Sequence, residues 1–275
     1  MKIARVFPRI TRATPQDELC FFGPPGMFLP EISEVHVSVA FTYDLPRAHE
    51  LAEQWRHIAP VKIGGPALNE PGGEFVQGRY LKPGYTITSR GCPNRCWFCQ
   101  VWRREGGEIR ELPIEPGNNV LDDNLLACSE SHIRDVFFML KIQKWGRPIF
   151  TGGLEAKILK DWHVKLLTEA KPKGIFFAYD TPDDYEPLVM AGRKLISAGF
   201  TPHNVIRCYV LIGYPGDDFV KAAKRLTNTI RAGFMPMAML YRDEKGRVSK
   251  DWQRFQREWV RPAIVRGKCK QEAMA

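Results

Sequence analysis

The sequence predicts an α/β protein in which parallel strands alternate with helices. Two observations favour this fold class. Short, nearly continuous apolar segments such as residues 174–179 recur along the chain, and segments with helical apolar spacing follow them. An apolar strand without polar alternation is typical of a parallel sheet that helices cover on both faces. With 275 residues, the chain is long enough for one large domain and a smaller companion.

The first 80 residues predict a small α/β region similar to a Rossmann unit. Residues 34–43 alternate between apolar and polar positions and are rich in valine, which indicates a strand. Residues 46–57 have helical spacing, and residues 61–63 form a second short strand. A strand–helix–strand unit of this kind predicts parallel pairing. The Pro-Gly-Gly segment at residues 71–73 follows as a linker.

Residues 81–247 predict the main domain, a partial (βα)6 barrel of the TIM type. Its six strands are expected near residues 85–88, 119–121, 148–151, 174–179, 204–213 and 235–241. Helices are expected near residues 131–144, 157–170, 183–198 and 217–232. A parallel sheet with this alternation can curl into an open barrel.

Residues 248–275 predict a basic C-terminal helix and tail. Trp252, Phe255 and Trp259 share one face of this helix, so they are expected to pack on the barrel. A surface that stacks on nucleic acid is the alternative for the same aromatic residues.

Composition indicates the kind of cellular compartment in which the protein works but does not indicate its substrate. The formal net charge of +9 permits a nucleic acid partner and fits a basic soluble enzyme equally well. No apolar run reaches the roughly 18 residues that cross a bilayer, and residues 1–14 lack the apolar segment of a secretory signal. We therefore expect a cytoplasmic monomer with no membrane partner.

Three of the seven cysteines form a tight cluster with C-x3-C-x2-C spacing, namely Cys92, Cys96 and Cys99. An odd count with one cluster does not resemble a disulfide framework. Thiolates are the usual ligands of iron–sulfur clusters, and three of them leave one iron of a [4Fe–4S] cluster open. The alternative is a non-catalytic zinc module that takes a fourth ligand, such as Cys128 or His132.

Polar residues and glycines follow the predicted strands, at the end where parallel α/β sheets bind ligands. These residues are Asp122, Asp123, Gly152, Gly153, Glu155, Asp180, Gly213 and Tyr214. Several of them also have an ordinary explanation. Gly152 and Gly153 can belong to a plain loop, the aspartate pair can lie at a helix N-terminus, and Asp180 can be a capping residue.

The cysteine spacing, with Phe98 as the aromatic residue before the third cysteine, resembles the radical S-adenosylmethionine (radical SAM) superfamily over about residues 81–245. The resemblance implies that Cys92, Cys96 and Cys99 hold a [4Fe–4S] cluster. Its open iron would chelate the amino and carboxylate groups of S-adenosylmethionine. One electron, from a donor such as flavodoxin or ferredoxin, would then cleave the sulfonium to give a 5′-deoxyadenosyl radical.

Other segments extend this resemblance to the cofactor contacts. Gly152-Gly153-x-Glu155 is similar to the family's Gly-Gly-Glu element for the methionine amino group. It follows the third strand rather than the second, so Asp122 or Asp123 could take that role instead. Residues 211–218 resemble the strand-five turn of methylthiotransferase-like and Elongator-like members. The implied adenosine contacts are Ile212, Gly213 and Tyr214 for adenine and Asp180 for ribose.

Residues 1–80 resemble a shortened, degenerate version of the cobalamin-binding domain that precedes some radical SAM barrels, through residues 61–66. The family's Asp-x-His-x-x-Gly motif is absent, so we expect no cobalamin. The expected function is an S-adenosylmethionine-cleaving enzyme. Nucleic-acid or nucleotide modification is one substrate hypothesis, and a peptide or small molecule is another. The absence of a second cysteine cluster argues against a standard methylthiotransferase.

Overall fold

The computed structural model describes residues 2–243 and 245–274 and shows a mixed α/β protein with parallel sheets. Two compact units are present. The first comprises Met1–Glu115 and Glu244–Gly246, and the second comprises Pro116–Asp243 and Arg247–Ala275. Among the described residues, no helix has the length and apolar character needed to cross a membrane. The predicted boundaries at residues 80 and 247 remain predictions.

The first unit contains a four-stranded parallel sheet. Its elements, in chain order, are β1 (Ile3–Val6), β2 (Cys20–Phe21), β3 (Glu34–Ser38), α1 (Leu45–Trp55) and β4 (Val61–Gly64). The strand order is β2-β1-β3-β4. The predicted strand–helix–strand segment is present as β3–α1–β4, with Val35 opposite Val61 in parallel register.

Helix α1 packs on this sheet through one apolar stripe. The buried residues Ala48, Leu51, Ala52 and Trp55 recur at helical spacing. Trp55 is fully buried, its ring lies 4.9 Å from that of Phe21, and its indole N–H donates to the carbonyl of Gly23 at 2.9 Å. This tryptophan therefore fixes the long connection between β1 and β3 onto the sheet.

The remainder of the first unit is mostly loop around a small hairpin. Its elements are β5 (Tyr85–Thr86), β6 (Ser89–Arg90), α2 (Val101–Arg104) and β7 (Arg110–Glu111). Strands β6 and β7 pair in antiparallel orientation.

The second unit is a parallel sheet in which helices follow the strands. Its strands are β8 (Asn119–Val120), β9 (Ile149–Phe150), β10 (Gly174–Ala178), β11 (Ile206–Ile212) and β12 (Met235–Leu240), in the spatial order β12-β11-β10-β9-β8. Its helices are α3 (Glu130–Ile142), α4 (Asp161–Ala170), α5 (Tyr185–Ser197), α6 (Phe219–Arg231), α7 (Lys250–Val260) and α8 (Pro262–Met274). Every strand and helix predicted here is present, with ends shifted by a few residues.

The aromatic face of α7 packs within the second unit. Trp259 is buried, and the rings of Trp252 and Phe255 lie 4.5 and 5.3 Å from that of Phe219 at the start of α6. Gln256 donates to the carbonyl of Ala238 in β12 at 2.9 Å. These aromatic residues therefore support the sheet, as their spacing predicts.

Asp180 connects two neighbouring strands at their carboxyl ends. It follows β10, and its carboxylate accepts a hydrogen bond of 2.7 Å from the backbone N–H of Leu211 in β11. Burial raises the pKa of this carboxyl group from 3.8 to about 6, because the charged form is poorly solvated there. The Leu211 hydrogen bond opposes this increase but does not cancel it.

We expect Asp180→Asn to remove a specific part of the pH dependence of stability. The folded-state pKa of about 6 lies above the ordinary 3.8. The stabilisation from the protonated carboxyl is therefore complete below about pH 4 and is lost as the pH rises through 6. Denaturant unfolding from pH 4 to 7.5 should show wild-type stability falling relative to the variant, by about 2–3 kcal/mol at most. Parallel stability curves for the two proteins would contradict this account.

Candidate functional site

The three clustered cysteines lie in a loop whose ends are closed by the β6–β7 hairpin. Ser89 pairs with Glu111, and Arg90 pairs with Arg110. Gly91, the first residue inside the hairpin, has φ +92°, and a Cβ atom there would lie 2.1 Å from the carbonyl oxygen of Glu108. Only glycine allows the two ends of the loop to approach this closely.

The loop backbone is folded around the thiols. Cys92, Cys96 and Cys99 are all half-buried. The N–H of Cys99 donates to the carbonyl of Cys96 at 3.1 Å, and the indole of Trp102 donates to the same carbonyl at 3.0 Å. The N–H of Val101 lies 3.4 Å from the sulfur of Cys99 and donates to it. Such N–H to sulfur bonds stabilise thiolate ligands and tune iron–sulfur clusters.

Phe98 and Trp97 form the aromatic part of the loop. Their rings meet edge to face at 5.4 Å, and Trp97 is 50% exposed. Phe98, the predicted aromatic of the motif, is half-buried beside the third cysteine.

The chemistry of the donors fits an iron–sulfur cluster. One short loop supplies three thiols, and one of the sulfurs accepts a backbone N–H. Three thiolates satisfy three irons of a [4Fe–4S] cluster, whereas a structural zinc ion takes four protein ligands.

A buried carboxylate holds the far side of the loop. The side chain of Glu105 is 0% exposed and accepts hydrogen bonds from Arg104 at 2.8 Å and Arg110 at 2.6 Å. It also accepts from the N–H of Gly72 at 3.0 Å, and the guanidinium of Arg90 lies 3.7 Å away. Glu105 therefore connects both hairpin strands to the loop between them.

The structure brings the predicted residues at the β8 and β9 exits together. The N–H of Gly152 donates to Val120 in β8 at 3.0 Å, and a Cβ on Gly152 would lie 2.3 Å from the backbone oxygen of Asp122. Gly153 has φ +99°. The Glu155 carboxylate accepts from the Asn124 amide at 2.7 Å. Asp122 and Gly152 are thus in contact, Asn124 holds Glu155 beside them, and Asp123 and Gly153 are their neighbours in the chain.

The turn after β11 is held by an internal ion pair. Arg225 donates to both carboxylate oxygens of Asp217, at 3.0 and 2.7 Å, and to the carbonyl of Leu211 at 2.9 Å. Asp217 also accepts from the N–H of Gly213 at 2.8 Å, and the Arg225 guanidinium lies 5.2 Å from the centre of the Tyr214 ring.

Two further details of this region concern Asp217 and Ile212. Asp217 is not the cap of the following helix. Its neighbour Asp218 caps α6 by accepting from the N–H of Lys221 at 2.7 Å, which leaves Asp217 turned inward. Ile212 is fully buried at the end of β11.

Cys128 and His132 were expected only as a fourth ligand for a zinc ion at the three clustered cysteines, and their grouping with Asp122 was not predicted. The structure groups both with Asp122, with one ligand atom of each residue within 4.8 Å of those of the others. A Cys-x3-His pair six residues after an aspartate is the signal that could have indicated this grouping.

Sequence comparisons identify no relative. No protein-family model matches the chain. No curated protein sequence matches it either.

Comparison with solved structures shows the fold. The radical S-adenosylmethionine methyltransferase TsrM from Kitasatospora setae, with cobalamin and a [4Fe–4S] cluster bound, superposes with a TM-score of 0.61 at 12% identity, over 87% of this chain and 75% of that chain. The same enzyme with tryptophan and a SAM analogue bound gives a TM-score of 0.56 at 12% identity, over 77% of this chain and 62% of that chain. This chain therefore spans three quarters of one solved chain and less than two thirds of the other.

The same comparison corrects the expectation that cobalamin is absent. A chain that shares this fold carries cobalamin together with its cluster. The missing Asp-x-His-x-x-Gly motif concerns one histidine ligand of cobalt, whereas a large cofactor can also be held by contacts away from its metal. Absence of the motif was therefore insufficient grounds for excluding cobalamin. The fold of this chain is that of structures named radical S-adenosylmethionine methyltransferases.

Proposed function

We propose that this protein is a radical SAM enzyme in which Cys92, Cys96 and Cys99 hold a [4Fe–4S] cluster. The observation that carries the proposal is the closed cysteine loop, with a backbone N–H donated to the Cys99 sulfur, in a chain with the radical SAM fold. We further propose that the parallel sheet curls into a partial (βα)6 barrel after a shortened, Rossmann-like N-terminal region.

The bound cluster would supply an open iron for S-adenosylmethionine and the electron that cleaves it. The protein's own residues position and shield the reactants. In this proposal Glu155, oriented by Asn124, pairs with the methionine ammonium group, because carboxylate–ammonium hydrogen bonds are strong. Gly152 lets the Asp122 backbone pack closely, and Gly153, where an added Cβ atom would meet nothing within 4 Å, leaves space for the cofactor to approach the backbone. Gly213 and Tyr214, whose turn is fixed by Asp217 and Arg225, would contact the adenosine.

Methyl transfer is a second candidate function, and the name of the TsrM structures favours it. Cobalamin would then bind the first unit. The histidines of that unit offer no prepared cobalt ligand: His49 and His57 are exposed on or after α1, and the His36 ring stacks 6.0 Å from Tyr80. Binding would therefore depend on contacts to the corrin rather than on a histidine–cobalt bond.

Cys96→Ala should abolish the cluster and the reaction. Wild-type protein reconstituted anaerobically should contain about four irons and four sulfides per chain and, with dithionite, should turn over S-adenosylmethionine. The variant should show less than about a tenth of both signals, because a thiolate ligand is lost. Cys20→Ala, which changes a cysteine in β2 of the same unit, is the matched control and should retain both. Equal iron and turnover in Cys96→Ala and wild type would refute the proposal.

Glu105→Gln should loosen the cysteine loop. Removing the buried charge leaves the guanidinium groups of Arg104 and Arg110 without compensation, which costs about 3 kcal/mol of unfolding free energy. The iron–sulfur absorbance should also decay faster in air. Glu108→Gln, an exposed change in the same loop, should behave as wild type in both assays. Comparable decay in the two variants would mean that Glu105 does not hold the loop.

The fate of S-adenosylmethionine separates the two candidate functions. Hydrogen abstraction should yield 5′-deoxyadenosine, whereas methyl transfer should yield S-adenosylhomocysteine and require added cobalamin. Chromatography of reactions with and without cobalamin measures both products. We expect 5′-deoxyadenosine in either condition. If S-adenosylhomocysteine is the only product and forms only with cobalamin, methyl transfer replaces hydrogen abstraction as the function. If cluster-loaded protein forms neither product, both candidate functions are rejected.

A further inference from the structure

The second unit contains a group of three side chains with different metal-ligating atoms. Asp122, Cys128 and His132 each present one such atom, and these atoms all lie within 4.8 Å of one another. Asp122 is 1% exposed and His132 is 8% exposed, while Cys128 is half-buried. The group is therefore built into the unit, with its more accessible side at the thiol.

The local fold explains why residues separated in sequence converge here. Asp122 lies two residues after the end of β8, and the chain then makes a short 3-10 turn over Leu125–Ala127. The N–H of Cys128 donates to the carbonyl of Leu125 at 3.1 Å and ends this turn. Ser129 then caps α3 by accepting the N–H of His132 at 3.2 Å, which places His132 on the first helical turn beside Cys128.

The third residue, Asp122, is fixed from the other side by the sheet. Its backbone lies against Gly152, where a Cβ atom would come within 2.3 Å of the Asp122 carbonyl oxygen. Gly152 is itself bonded to β8 through Val120. Two neighbouring strand exits and the start of α3 thus hold the three ligand atoms in place.

We propose that Asp122, Cys128 and His132 form a zinc site. Carboxylate oxygen, imidazole nitrogen and thiolate sulfur are the three ligand types that zinc accepts, at about 2.0–2.3 Å. Tetrahedral coordination at those lengths separates ligand atoms by about 3.5 Å, so an adjustment of roughly 1 Å closes the group around an ion. A single thiolate does not suit an iron–sulfur cluster. Three protein ligands leave a fourth zinc position for water or a substrate oxygen.

This zinc site is separate from the proposed radical SAM cluster. It uses none of Cys92, Cys96 and Cys99, and zinc and iron are measured separately in the same sample. With Asp122 bound to zinc, the methionine ammonium group is left to Glu155. A protein that binds zinc but no iron would contradict the proposed function alone. A protein that binds iron but no zinc would contradict the zinc site alone.

The test is metal analysis of the full chain, purified anaerobically, supplied with zinc and dialysed against a weak chelator. Wild type should retain about one zinc per chain beside its iron. Cys128→Ser and His132→Gln should each weaken zinc binding by at least about tenfold, with iron unchanged. Cys20→Ser is the matched control and should retain zinc. Zinc retention equal to wild type in both ligand variants, or no retained zinc in wild type, would overturn the proposal.

Cobalt substitution keeps the test decisive if the ligand variants fail to fold. Co²⁺ bound through one thiolate gives a sulfur-to-metal charge-transfer band. The protein with Cys92, Cys96 and Cys99 all replaced by serine should still show this band, and it should disappear when Zn²⁺ is added. No band in that protein, with its circular dichroism spectrum unchanged, would mean that the group is a hydrogen-bonded cluster rather than a metal site.

Discussion

The buried carboxylate of Glu105 is the interaction on which the cysteine loop depends. It faces the guanidinium groups of Arg90, Arg104 and Arg110, which come from β6, from α2 and from β7. A buried charge is tolerated only when it is paired and hydrogen-bonded. The ion pairs between Glu105 and its arginines must therefore all form as the loop folds. The loop that carries the three thiols is closed at the hairpin and anchored at Glu105, and these two constraints limit where the thiols can lie relative to one another.

The second unit uses a related arrangement at the carboxyl ends of its strands. Strands β8 and β9 have only two residues each, so their ladders contribute few hydrogen bonds. Polar groups beyond these two strands add further hydrogen bonds: the N–H of Gly152 donates to Val120, and the Asn124 amide donates to Glu155. This end of the sheet is therefore rich in hydrogen-bonded polar groups, which suits a site that must hold reactants in one geometry.

Much of this architecture could be predicted from local patterns. The apolar strand 174–178 and the amphipathic helices α3 to α6 are encoded within short windows, and the β3–α1–β4 unit is too. Strand β1 was missed because Arg5 interrupts its short apolar run. That arginine donates to the Asp17 carboxylate and to the carbonyls of Gly78 and Arg79. The two carbonyls lie 73 and 74 residues away, so no short window of sequence contains all of these partners.

The candidate site likewise combines local features that the sequence predicts with distant contacts that it does not. The thiol spacing is local and was readable, whereas the pairing of Arg90 with Arg110 joins residues twenty positions apart without any repeated pattern. The grouping of Asp122 with Cys128 and His132 depends on a 3-10 turn that the local sequence does not predict. The roles of Asp217 and Asp218 differ by one residue in register, which sequence patterns resolve poorly.

The closure of the cysteine loop at Gly91 has a consequence for how such proteins diversify and can be modified. The exposed residues Gly106 and Gly107, where an added Cβ atom would meet nothing within 4 Å, line one cavity with Pro93 and Arg95, which lie between Cys92 and Cys96. Exposed glycine tips are where chains accept insertions most readily. A segment added there, whether a recognition element or an engineered label, would therefore border the same cavity as the cysteine loop.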